Sequence, residues 1–202
     1  MASITKIEAQ AKNKGRVNVY LDGEFALGCS LDIVLNYGLK EGLEITSEKL
    51  DELVFENEKS LALSKAVTLL GKNLKTKHQM KKYLVDKGYS EQIVNYVLEK
   101  LCEYNYINDE NYAKLYVRSI KNKYGKIKIR NELKLKGVSD KNIDLALADF
   151  ESEEEVIFNL ANKWLKDKPA SYENLSKLYR FLLSKGFDYE EVSRVVKSFK
   201  EN

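Results

Sequence analysis

Three Lys-Gly steps, Lys87-Gly88, Lys136-Gly137 and Lys185-Gly186, stand 49 residues apart. Laying the chain on itself at that period brings seven apolar columns into register. Met80 falls on Ile129 and Leu178, and Leu84 on Leu133 and Leu182. Tyr89 falls on Val138 and Phe187, and Val94 on Ile143 and Val192. Val97, Ala146 and Val195 align, as do Leu98, Leu147 and Val196, and Leu101, Phe150 and Phe199. A fixed period of this size means stacked supersecondary units, each with a small core of its own.

Each unit reads as three helices. The middle helix ends at the Lys-Gly step, where glycine accepts the left-handed C′ conformation. The third helix starts two or three residues later, at Ser90, Ser139 and Asp188, whose side chains can accept from first-turn amides. Val94, Val97, Leu98 and Leu101 then follow at i, i+3, i+4 and i+7, one apolar face. The first helices are less alike: Leu61–Leu70, Tyr112–Ile120 and Val156–Leu165. Asn108-Asp109-Glu110 caps the second of these, and the acidic run Glu151–Glu155 opens the third, where it complements the helix dipole. The only proline, Pro169, falls between helices, where its missing N–H does no harm.

The leader is different. Ile4, Ile7 and Ala9, then Val17, Val19 and Leu21, then Phe25 and Leu27 partly alternate with polar residues. Asp22-Gly23 between two such runs signals a two-residue hairpin. The pattern predicts three antiparallel strands, a short helix capped by Ser30 and ended by Gly38, and a second helix over roughly 47–58. The expected fold is mainly α: three tandem three-helix repeats in an elongated curved array behind a small β-hairpin leader. The expected divisions are 1–58, 59–108, 109–150 and 151–202.

Charge is distributed unevenly along these units. The net formal charge of +3 splits into −5 for 1–58, +4 for 59–109, +5 for 110–150 and −1 for 151–202. A basic centre between acidic and near-neutral ends points to a polyanionic partner. Lysines and arginines crowd the first two middle helices. Lys77 and Lys81 share a face, as do Lys126 and Arg130, at i, i+4. Only Asp86 and Glu132 offer local neutralisation. Lys77, Lys81, Lys82, Lys126, Lys128, Arg130 and Lys134 are therefore the candidate partner- or DNA-binding residues. Tyr83, Tyr116 and Tyr124 are interleaved with them and could stack on bases; most of the other tyrosines serve to cover thin cores.

Other chemistry finds little support. A single His, His78, argues against a His-based metal site or triad. Two cysteines cannot build a disulfide framework and suit a reducing compartment; both Cys29 and Cys102 read as small buried residues. There is no phosphate loop, dinucleotide fingerprint or nucleophile elbow. No run approaches the 18 apolar residues of a membrane span, and no signal segment is visible. No catalytic, cofactor-binding or metal-ligating residue is therefore expected, and the expected location is the cytoplasm.

Two segments carry a resemblance. They are Tyr106-Ile107-Asn108-Asp109-Glu110-Asn111-Tyr112-Ala113 and Ile129-Arg130-Asn131-Glu132-Leu133-Lys134-Leu135-Lys136-Gly137-Val138. Together they resemble the signature of the bacterial RecX regulatory proteins. Ala62-Leu63-Ser64-Lys65-Ala66 through Lys87-Gly88-Tyr89 resembles that family's first repeat. The resemblance covers essentially the whole chain, in the longer form found in Firmicutes. Unit three departs most, lacking the Arg-x-x-Leu-x-x-Lys-Gly form. The resemblance implies a non-enzymatic, monomeric regulator that binds the RecA nucleoprotein filament along its groove. It implies inhibition of ATP hydrolysis and strand exchange, filament disassembly, and weak binding of single- or double-stranded DNA. DNA repair, homologous recombination and the SOS response are the implied setting, with no membrane contact. The alternative from charge alone is a stand-alone helical nucleic-acid-binding module independent of RecA.

Overall fold

A computed structural model describes residues 1–148, 150 and 152–200. The chain divides into two compact bodies. One comprises 1–72 with 84–103; the other comprises 73–83 with 104–202.

In the first body, β1 (Ala2–Gln10), β2 (Asn13–Leu21) and β3 (Glu24–Ser30) form an antiparallel meander. The turn residues Asp22 and Gly23 both have positive φ, 49° and 91°, matching the handedness of a two-residue hairpin. The alternation predicted for the first strand is broken for a physical reason. Ile4 pairs with Leu21 but Lys6 pairs with Tyr20, so a bulge shifts the register between the two apolar residues. A two-residue strand that the alternation did not reveal, β4 (Glu44–Ile45), pairs with Ala2 and Ser3 and makes the sheet four-stranded, ordered β3-β2-β1-β4. Ser30 caps α1 (Leu31–Asn36), and Gly38 follows with φ 59°. Ile4, Val17, Val19, Leu27, Cys29, Ile33 and Leu53 form the core of this region.

One helix, α2 (Ser47–Leu70), replaces the two expected over 47–58 and Leu61–Leu70. Thr46 caps its start, and Leu53, Ala62, Ala66 and Leu70 are buried along it. Nothing between Glu58 and Leu61 breaks a helix, since neither Gly nor Pro occurs there.

The remaining helices are α3 (Lys77–Asp86), α4 (Glu91–Glu103), α5 (Asp109–Ile120), α6 (Lys126–Leu135), α7 (Asp140–Leu147), α8 (Glu154–Leu165), α9 (Tyr172–Ser184) and α10 (Tyr189–Ser198). Ser139 and Asp188 cap α7 and α10 as expected, and Ser90 Oγ accepts from Ile93 N at the start of α4. Gly88, Gly137 and Gly186 have φ between 78° and 82°. The apolar columns are the cores: Met80, Ile129 and Leu178 are fully buried, as are Leu84, Leu133 and Leu182. One cysteine departs from expectation. Cys29 is buried, but Cys102 is exposed, because it follows the buried Leu101 and faces away from the Val97, Leu98, Leu101 stripe.

Candidate functional site

Within the second body the Lys-Gly step does more than end a helix. The start of one repeat's middle helix seats on the Lys-Gly cap of the next. The Thr76 hydroxyl, fully buried, donates to the Lys136 carbonyl at 2.6 Å, and Lys77 N donates to Asp109 Oδ1 at 2.8 Å. One period later, Gly125 N donates to the Lys185 carbonyl at 3.0 Å, and Lys126 N donates to Glu153 Oε1 at 2.9 Å. The approach is close enough to require glycine. A Cβ on Gly137 would lie 2.2 Å from that of His78, and one on Gly186 would lie 2.4 Å from that of Lys128. His78, Thr76 and Gly125 are thus parts of a joint.

Glu153 is the acid of the second joint and is 2% exposed. Burial pushes its carboxyl up to about 7, with Glu191 and Asp188 adding to the rise, while the Lys126 amide and charge oppose it. Its own N–H donates to Glu191 Oε2 at 3.0 Å. The acidic run therefore does more than complement a dipole; Glu151, at its head, lies outside the described residues.

All seven predicted basic residues belong to the second body. Lys77, Lys81 and Lys82 are exposed on α3, and no carboxylate among the described residues forms an ion pair with their ammonium groups. Those on α6 are engaged. Arg130 reaches Asp144 at 2.6 Å and Asp140 at 3.8 Å, and Lys134 reaches Asp140 at 2.8 Å. The Lys126 ammonium lies 5.5 Å from the Phe150 ring centre, and that of Lys128 lies 4.4 Å from Tyr124. Local sequence offered only Glu132 as a neutralising acid; the fold adds two from α7.

At the 49-residue period, Lys77, Lys81 and Lys82 occupy the positions of Lys126, Arg130 and Asn131, and of Leu175, Tyr179 and Arg180. Two columns of the middle helix are thus cationic in the first two repeats and hold Leu175 and Tyr179 in the third. The tyrosines picked out from sequence are half-buried against neighbouring side chains. Tyr116 donates to Glu132, stacks on Tyr112, and has its hydroxyl driven far above the usual phenol range by burial and that carboxylate. Tyr124 lies under Lys128 and Lys185, and Tyr83 is half-buried. The most exposed tyrosine among the described residues is Tyr172, at the first position of α9, which no sequence pattern marked; Tyr189, Tyr104 and Tyr106 are exposed as well. Among the described residues no group of His, Cys, Asp and Glu is placed to hold a metal ion, and no helix is long and apolar enough to cross a membrane.

Fold and surface together define a class: tandem three-helix repeats behind a small sheet, with cations recurring at two positions of the first two middle helices. Residues 2–46 match the regulatory protein RecX N-terminal domain; 62–101, 108–147 and 151–196 match its first, second and third three-helix domains. Similarity extends over full sequences. The regulatory protein RecX of Clostridium acetobutylicum is 34% identical, over 99% of this chain and 98% of that one. That of Clostridium botulinum strain Eklund 17B is 38% identical, over 98% and 96%. A crystal structure of a regulatory protein RecX superposes with a TM-score of 0.77 at 30% identity, covering 96% of this chain and 98% of that chain. The RecX of Lactobacillus salivarius superposes with a TM-score of 0.66 at 26% identity, covering 73% and 99%. The chain belongs to the RecX family of regulatory proteins.

Proposed function

We propose that this protein is a monomeric, non-enzymatic regulator that binds the RecA nucleoprotein filament and inhibits its ATPase and strand exchange, in the cytoplasm and without a cofactor. The observation that carries this reading is the recurrence of cations on α3 and α6 at two repeat positions, Lys77 with Lys126 and Lys81 with Arg130. Repeated cations on successive units suit a partner that is itself extended and anionic. Lys77, Lys81 and Lys82 supply charge that no carboxylate pairs with among the described residues; Lys126, Lys128, Arg130 and Lys134 supply charge held in fixed geometry. Contact with filament DNA would thus be mainly electrostatic, modulating recombination and DNA repair by occupancy.

The test is RecA ATPase on single-stranded DNA with wild type and with Lys126→Glu, Lys128→Glu, Arg130→Glu combined. Wild type should inhibit, and the triple variant, with unchanged helical circular dichroism, should not. Full inhibition by a folded triple variant would sink the reading. A stand-alone nucleic-acid module would instead bind naked DNA with a steep salt slope and leave RecA turnover unchanged.

A further inference from the structure

Repeats two and three carry the same cleft, between the middle and third helices, with different linings. In repeat two it is about 430 Å³, lined by Lys126, Arg130, Asn131, Asp144 and Leu147. In repeat three it is about 300 Å³, lined by Leu175, Tyr179, Arg180 and Val196, with Tyr172 and Lys200 at its edge. Adding 49 carries Lys126 to Leu175, Arg130 to Tyr179, Asn131 to Arg180 and Leu147 to Val196.

The exchange of residues is systematic. In repeat two, Arg130 on one wall faces Asp140 and Asp144 on the other, an internal ion-pair set. Their counterparts in repeat three are Tyr179, Tyr189 and Ser193. The ion pairs become an edge-to-face tyrosine contact, Tyr179 on Tyr189, with ring centres 5.9 Å apart. The acidic wall is lost, and the charged residues that line the cleft are cations, Arg180 and Lys200. Tyr172 at the mouth is 80% exposed, and the Lys200 ammonium stands 5.8 Å from its ring centre. Glu173, the next residue, is occupied by Lys177 at 2.5 Å.

We infer that the α9/α10 cleft of repeat three is a base-stacking site for single-stranded nucleic acid. A nucleobase lies on the Tyr172 ring, and Arg180 and Lys200 meet the flanking phosphates. An exposed aromatic beside cations, with no carboxylate among the described residues of the cleft lining, is the arrangement that takes any base by its π-face, without reading sequence. The cleft occupies the register of the cationic positions on α6, so strand contact continues from charge to stacking. This inference rests on the proposal that the repeats face nucleic acid, and adds the site where bases rather than phosphates are held.

The full-length protein is titrated with a short fluorescent oligothymidylate and with an abasic oligomer of equal length and charge. Wild type should prefer the base-bearing strand by roughly tenfold. Tyr172→Ala should remove that preference; Tyr172→Phe should keep it. The Lys126, Lys128, Arg130 charge reversal should weaken both strands and keep the preference, which separates failure of the electrostatic reading from failure of this one. Equal binding of the two strands by wild type would overturn the inference. So would a preference that survives Tyr172→Ala, or a Tyr172→Ala variant with intact oligonucleotide binding and weakened RecA binding, which would make the cleft a protein contact.

Discussion

Glu153 shows how one buried side chain can set a pH dependence. Its carboxyl is raised to about 7 in the folded chain, against 4.5 when free. Above pH 7 the ionised group burdens the folded state; as pH falls toward 4.5 the folded chain takes up a proton that the unfolded chain does not, and stability rises. Relative to Glu153→Gln, wild type should therefore gain stability on going from neutral pH to pH 5, by about 2 kcal/mol. Trp164 is the only tryptophan and packs on the repeat-three core, so urea unfolding followed by its fluorescence reads this. A constant difference between the two proteins across that range would contradict the assignment. Glu191, Asp188, Lys126 and the Arg194–Glu154 pair surround the joint, and the glutamine variant leaves all of them in place.

At the scale of elements, α7 tunes α6. Asp140 and Asp144 hold Arg130 and Lys134 on the shared surface, which lowers the positive potential that this face shows to a polyanion. Such exposed pairs contribute little to stability, about 0–1 kcal/mol each. Asp140→Asn with Asp144→Asn should therefore leave folding nearly unchanged and tighten DNA binding. Each further phosphate neutralised steepens the logarithmic salt slope by about 0.7 on single strands. An unchanged slope in a salt titration would show that Arg130 and Lys134 do not reach phosphate. The merging of two expected helices into α2 belongs to this scale too. The periodic apolar face of a repeat marks where its helix packs, and the helix continues wherever no Gly or Pro stops it.

For the molecule as a whole, the Lys-Gly step has two roles that the three repeats share unequally. A Cβ on Gly88 would meet open space, whereas one on Gly186 would meet the Lys128 backbone N at 2.5 Å. Both glycines hold positive φ, so alanine at either costs about 1–2 kcal/mol in backbone strain alone. At Gly186 overpacking adds about 1–3 kcal/mol. Gly186→Ala should lower the stability of the Trp164-reported transition by about 2–5 kcal/mol. Gly88→Ala, in the first body, should leave that transition in place; equal shifts would mean that the joint tolerates a side chain.

The 49-residue period, the helix caps at Ser139 and Asp188, the Asp22-Gly23 turn and the buried columns were all legible in the amino-acid sequence. Each is a local rule, in which a residue's own preference or its i, i+3, i+4 neighbours decide the outcome. The partners of Arg130, the enclosure of Tyr116, the burial of Glu153 and the exposure of Tyr172 were not legible. They depend on which helices meet, and residues as far apart as Glu153 and Glu191 become neighbours only when two helices of one repeat pack. The sequence by itself determined the repeat and where its charge lies. Only the tertiary structure decided which of those charges are already spent on one another and which ring stands exposed at the mouth of the repeat-three cleft.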